Sequence, residues 1–152
     1  MRSCHGRNLR TGRCPEAGRP YLITTVIRDR RPCFGDWRIA RLLVIELKDA
    51  TENGYAETLA WVVMPDHLHW LMIPGSEPLD AVMRRIKSRS AIAVNRRLGT
   101  TGPLWQQGYH DHALRKTEDI RAVARYLIAN PLRAGLVKHI GDYPLWDAAW
   151  LL

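Results

Sequence analysis

The chain has few cysteines, no long apolar run and no repeats, and each absence excludes something. Cys4, Cys14 and Cys33 are the only cysteines in 152 residues, an odd number confined to the first quarter and never spaced Cys-x-x-Cys. Reduced thiols are therefore expected rather than a disulfide framework or a zinc knuckle. No apolar stretch approaches the roughly 20 residues that a membrane-spanning helix needs. The first 20 residues carry Arg2, Arg7, Arg10, Arg13 and Arg19 without a following apolar core, which argues against a secretory signal and for a cytoplasmic protein. Acidic residues are missing from one stretch in particular: six basic residues and no Asp or Glu lie between Ala81 and Thr100.

What is present is one domain's length of chain, long enough to bury a core unaided, with a formal charge of +8 and a pI near 9.9. A domain this basic attracts polyanions, of which nucleic acid is the commonest. Residues 1–20 read as a basic N-terminal arm, either disordered or reaching to nucleic acid, and residues 21–152 as the folded domain.

Tyr21–Ile27 is β-branched and reads as a first strand, and Asp36 to Ala50 as a helix with Asp36 as N-cap. Ala56 to Met64 reads as a second strand, joined through Pro65-Asp66 to a third that carries His67 and His69. Residues 77–98 have helical spacing, and residues 104–115 are strand-like. Thr117 to Asp119 opens a last helix, with the Thr117 hydroxyl as N-cap, that should end at Asn130, before Pro131. The order strand, helix, strand, strand, helix, strand, helix predicts an α+β, ferredoxin-like (split βαβ) antiparallel four-stranded sheet with helices packed on one face. The aromatic tail, Tyr143 to Trp146 and Trp150, should pack over the domain.

His67 and His69 are separated by the apolar Leu68. Side chains two apart on a strand share a face, so both imidazoles can grip one metal ion while Leu68 points into the core. Tyr126 and Asn130, four apart on the last helix, also share a face and stand outside its apolar stripe. A helix packed on the histidine sheet would bring a phenol and a carboxamide toward the pair.

Val63-Met-Pro-Asp-His-Leu-His69, Leu104-Trp-Gln-Gln-Gly-Tyr-His-Asp-His112 and Tyr126-Leu-Ile-Ala-Asn-Pro-Leu-Arg-Ala-Gly-Leu-Val137 occur in that order. In this the chain resembles the single-tyrosine HUH transposases, and most closely their branch associated with repetitive extragenic palindromes (REP), over about Tyr21 to Trp146. The resemblance implies a metal-dependent endonuclease and strand transferase that acts on single-stranded, hairpin-forming palindromic DNA through a 5′-phosphotyrosine intermediate. It implies Tyr126 as nucleophile and His67 and His69 as ligands of Mg²⁺ or Mn²⁺, with Asn130 at the position of a further polar ligand. Asp66 stands where many members carry Asn, and both suit a turn.

Arg84, Arg85, Lys87, Arg89 and Arg115 are candidate phosphate contacts, and Trp105 and Tyr109 candidate stacking platforms for unpaired bases. His110 and His112 form a second His-x-His, open to auxiliary or acid-base roles. Two other readings compete: a non-catalytic nucleic-acid-binding domain, with salt-sensitive binding but no covalent adduct, and a zinc hydrolase using water in place of Tyr126. Monomer and homodimer are both compatible with the sequence.

Overall fold

In the computed structural model, which describes residues 18–150, five antiparallel strands form one sheet in the order β4-β1-β3-β2-β5. The strands are β1 (Tyr21–Val26), β2 (Ala56–Met64), β3 (His67–Pro74), β4 (His110–Ala113) and β5 (Trp146–Ala148). The helices are α1 (Trp37–Glu52), α2 (Leu79–Leu98), α3 (Ile120–Ile128) and the single turn α4 (Asn130–Arg133). The connections β1-α1-β2 and β3-α2-β4 each skip one strand, as split βαβ units do. Residues 1–17, with Cys4, Cys14 and most of the basic arm, lie outside the described residues; Cys33 is a half-buried free thiol. No helix among the described residues is long and apolar enough to cross a membrane.

Five expectations need correction. The sheet has five strands rather than four, because the tail does more than cover the domain: Trp146, Asp147 and Ala148 pair with Val62, Trp61 and Ala60. Helices cover both faces rather than one. Residues Ala60 to Met64 are all buried, so β2 is apolar on both sides and needs cover on both. One core joins α1 and α2 to Tyr21, Ile23, Leu68 and Trp70, and a second joins Ala124 and Leu127 of α3 to Val62, Met64 and Leu71. The strand expected over 104–115 is regular only at His110–Ala113, with Trp105 in an isolated bridge to Ile27. Finally, α3 is capped by Asp119, whose carboxylate accepts from the N–H groups of Arg121 and Ala122, and not by the Thr117 hydroxyl.

The end of α3 also differs. It closes at Ile128, Ala129 stays in the right-handed region, and Asn130 opens the separate turn α4 with Pro131 near its start, where a missing N–H costs nothing. Elsewhere the local signals act as expected. Asp36 caps α1 by accepting from the Arg38 N–H at 3.0 Å, and Gly99 ends α2 at φ 67°, the left-handed geometry that suits glycine.

The hairpin β2-β3 turns in two residues, Pro65 and Asp66, and pairs Met64 with His67 and Val62 with His69. Two long-range backbone bonds pin that turn: Ile27 N–H donates to the Asp66 carbonyl at 2.8 Å, and Phe34 N–H to the Pro65 carbonyl at 2.9 Å. Leu68 and Trp70 are fully buried on the α1-α2 side. Each contributes roughly 1.5–3 kcal/mol by burial, so a one-residue slip, which would carry the histidines into this core, is strongly disfavoured.

Candidate active site

His67 and His69 lie on the opposite face of β3 from Leu68, the face covered by α3 and α4. Their Nε2 atoms approach to 3.1 Å with the rings edge-on at 82°. Each Nδ1 is held from behind: His67 Nδ1 lies 2.6 Å from Asp66 Oδ1, and His69 Nδ1 lies 2.8 Å from Thr24 Oγ1 on β1. An ionised carboxylate only accepts, so Asp66 places the His67 proton on Nδ1 and leaves a lone pair on Nε2. Thr24 can donate or accept, so His69 is free to take whichever tautomer the site requires. With Nδ1–H donated to Thr24, both Nε2 lone pairs point into the same space.

This arrangement fits a cation. Two nitrogens 3.1 Å apart match adjacent positions of an octahedral ion at bond lengths of about 2.2 Å. The partners behind each ring are the kind that orient metal-binding imidazoles. Burial, then the neighbouring His67 and the positive Arg133, push the His69 pKa down to about 4, which keeps the ring neutral as a ligand must be. Burial raises the Asp66 carboxyl, but hydrogen bonds from His67 and Arg30, the latter at 3.2 Å, outweigh it and hold Asp66 below the ordinary carboxylate range. Among the described residues no third His, Cys, Asp or Glu completes a cluster with the pair, so a further donor has to be of another kind.

Asp66 was legible only as a turn residue, yet it orients His67. An asparagine there would offer an acceptor oxygen at the same point. Asp66→Asn is therefore expected to keep Mn²⁺ affinity close to that of the unsubstituted protein, whereas Asp66→Ala should lower it about 10- to 100-fold in a calorimetric titration. Equal affinities for both variants would remove Asp66 from the site.

Asn130 and Tyr126 sit on the cover of this face. Asn130 Nδ2 donates to the Leu127 carbonyl at 2.7 Å, a bond that does not use the amide oxygen, and α4 packs on β2, beside the histidine strand. Tyr126 is 67% exposed. The guanidinium of Arg133 stacks over its ring, 3.7 Å from the centroid. Tyr126 lies on α3 and Asn130 opens α4, so the Ala129 junction, rather than one continuous helix, links the two residues.

The proposed DNA contacts divide. Arg84 is exposed and lines a groove of about 1000 Å³ with Arg28, Gln106, Gln107 and Tyr109. Lys87 borders the same groove and donates from Nζ to the carbonyls of Gln106 and Gly108, both at 2.7 Å, fixing the loop that forms the groove's far wall. Tyr109 is half-buried and its hydroxyl donates to Asp80. Arg115 is exposed, with its N–H given to Glu118. Arg89 instead forms a two-oxygen ion pair with the buried Glu46 of α1, at 2.8 and 3.1 Å, and Arg85 bonds Asp49 and stacks on Tyr55. Trp105 is in the core: 6% exposed, tilted against Phe34, with its indole N–H given to Ser90 at 2.9 Å.

The second histidine pair stands apart from the first. The register aligns His110 with Thr24, and Thr24 with His69, so all lie on one face; but β1 separates the pairs by two strand spacings, about 10 Å. His112 is held by the carboxylate of Glu118 at 3.0 Å. Thr24 and Arg133 are the site residues that sequence reading missed. Alternation along β1 puts Thr24 on the histidine face, but only the β1-β3 pairing tells which residue it meets.

A family model described as "Transposase IS200 like" matches residues 19–130. The chain is 29% identical over 131 residues to the REP-associated tyrosine transposase of Escherichia coli K12, covering 84% of this chain and 74% of that protein. A Haemophilus influenzae relative is 26% identical over 140 residues, covering 82% of this chain and 76% of its own. Among solved structures, a REP-associated tyrosine transposase bound to a REP hairpin superposes with a TM-score of 0.72 at 26% identity, covering 88% of this chain and 79% of that one.

Proposed function

We infer the chemistry of this chain from the premise that it belongs to the IS200-like transposase family and is a tyrosine transposase, an enzyme of DNA cleavage and strand transfer. Its substrate, on this reading, is single-stranded DNA folded into a hairpin by palindromic repeats; in support, the solved relative is bound to a REP hairpin. Tyr126 is the nucleophile, and His67, His69 and the Asn130 amide oxygen hold a divalent cation, Mg²⁺ or Mn²⁺. The observation that carries the reading is the pair of Nε2 atoms 3.1 Å apart, each ring backed through Nδ1, on the sheet face that the Tyr126 helix covers.

A bound cation would supply Lewis-acid polarisation of the scissile phosphate. The chain's own residues do the rest. Tyr126 Oη attacks phosphorus, the bond from phosphorus to the 3′ oxygen breaks, and the phenolic proton passes overall to the freed 3′ hydroxyl. The 5′ phosphate stays on Tyr126 as a phosphodiester, so reversal or transfer to a new 3′ hydroxyl needs no nucleotide cofactor. Arg84, Lys87 and Arg115, with the edge of Tyr109, handle phosphates and unpaired bases nearby. Arg85 and Arg89 are held by the carboxylates of Asp49 and Glu46. One chain carries one complete set of these groups, which suffices for one cleavage in a monomer or in a homodimer.

The test is incubation with Mn²⁺ and a hairpin oligonucleotide from the chain's own genome, followed by denaturing electrophoresis. The expected result is a protein-DNA band that survives denaturation and disappears with EDTA. Binding that salt weakens, with no such band under any divalent ion, would favour the non-catalytic module instead.

A further inference from the structure

Arg133 differs from the arginines that carboxylates hold near the fold's functional surface. Arg30 is paired with Asp66, Arg85 with Asp49 and Arg89 with Glu46, whereas among the described residues no carboxylate pairs with Arg133. Its guanidinium lies over the exposed Tyr126 ring, 3.7 Å from the centroid, at the end of α4. The guanidinium thus lies beside the proposed nucleophile, on the helical cover of the sheet face that carries the paired imidazoles, where a phosphate under attack by Tyr126 would enter.

A phosphodiester brings one negative charge to that space, and charge on its non-bridging oxygens grows as the phenolic oxygen bonds to phosphorus. A guanidinium suits this task better than an ammonium. Its planar fork gives two parallel N–H donors to two phosphate oxygens, and its flat face remains free to stack on an aromatic ring. Stacking alone is a weak interaction at an exposed site and would not explain why a lone cation is kept beside the phenol. Held there before substrate arrives, the charge needs little reorganisation during reaction.

We propose that Arg133 is a catalytic residue of strand cleavage, its guanidinium aligning the Tyr126 ring by stacking while donating to the non-bridging oxygens of the scissile phosphate. This rests on Tyr126 as the nucleophile. The covalent step is unchanged: the Tyr126 oxygen-phosphorus bond forms, the bond to the 3′ oxygen breaks, and Arg133 keeps its proton throughout.

The experiment measures single-turnover adduct formation with Mn²⁺ and pre-bound hairpin DNA for the unsubstituted protein, Arg133→Ala, Arg133→Lys and Tyr126→Phe, with hairpin affinity measured separately for each. Arg133→Ala is expected to slow adduct formation about 10²- to 10³-fold while affinity stays within about threefold. Arg133→Lys, which keeps charge without the fork, should recover part of that loss. Added methylguanidinium should restore Arg133→Ala in a saturable way and leave Tyr126→Phe inert. An Arg133→Ala rate within about threefold of the unsubstituted protein, or a loss that neither lysine nor methylguanidinium relieves, overturns the proposal while the nucleophile stands. An adduct that persists in Tyr126→Phe overturns the nucleophile and this proposal with it.

Discussion

Tyr126→Phe is expected to bind hairpin DNA normally and to leave it uncut, with adduct formation reduced by at least about 10⁴-fold. The substitution removes one oxygen from a ring that is 67% exposed. Among the described residues that hydroxyl makes no hydrogen bond, so the fold should lose no more than about 0.5 kcal/mol. The ring remains available to the Arg133 guanidinium, so the local packing that sets the entrance to the site survives. Thermal melting and a binding isotherm, both unchanged beside a vanished adduct, separate lost chemistry from lost structure. A residual adduct at more than a few per cent of the original rate would assign the attack to another group.

His69→Ala is expected to abolish both metal-dependent stabilisation and cleavage. For the unsubstituted protein, an ion present at 100 times its dissociation constant stabilises the native state by about 2.7 kcal/mol, a rise of roughly 5–10 °C in a domain of this size. Without the second imidazole the remaining donors should show little or no shift with Mn²⁺, and cleavage should fall at least about 10³-fold. The same variant carries a pH signature in the absence of metal. Burial first, then His67 and Arg133, hold the folded His69 pKa at about 4, below its ordinary value of 6.5. Above pH 6.5 the ring is neutral in both states and costs nothing. As pH falls from 6.5 toward 4 the unfolded chain takes up a proton that the native state refuses, so native stability declines by roughly 3 kcal/mol. Unfolding titrations of the metal-free protein across that window should show the decline, and His69→Ala should flatten it. A metal-induced rise in melting temperature that persists in His69→Ala would move the ion elsewhere.

The parts of this site that were legible in the sequence are those fixed by local geometry. A period of two puts His67 and His69 on one face and buries Leu68, and the turn at Pro65-Asp66 sets the pairing of β2 with β3. Spacing along the chain likewise marked Tyr126 and Asn130. What was hidden depends on partners distant in sequence. The basic run after Ala81 read as one phosphate-facing surface, yet the acids that engage Arg85 and Arg89 lie 36 and 43 residues away, on α1. Three residues of β5 carry too little pattern to announce a strand, and pairing to β2 makes them one. That α3 covers the histidine face, rather than joining α1 and α2, follows from the two-sided burial of Ala60 to Met64. The uninterrupted apolar run from Leu59 to Met64 was the visible sign of it.

Arg133 illustrates the same division. It stood within a motif whose resemblance was evident, where it looked like part of a helix-ending turn. Its contact with Tyr126 spans the Ala129 junction, where the backbone stays right-handed and α4 begins, a local event that the proline at 131 does not by itself reveal.

The central claim is that Tyr126 becomes joined to the 5′ phosphate of hairpin DNA at a site built around His67 and His69. Its most direct test is mass spectrometry of the trapped adduct after nuclease and trypsin digestion, since cleavage after Arg125 and Arg133 releases a peptide in which Tyr126 is the sole tyrosine. The expected result is that peptide carrying a nucleotide through a 5′ phosphodiester on Tyr126, formed only with divalent metal and absent when His69 is replaced. A nucleotide on any other residue, or an adduct on Tyr126 that forms equally well in His69→Ala, would contradict it.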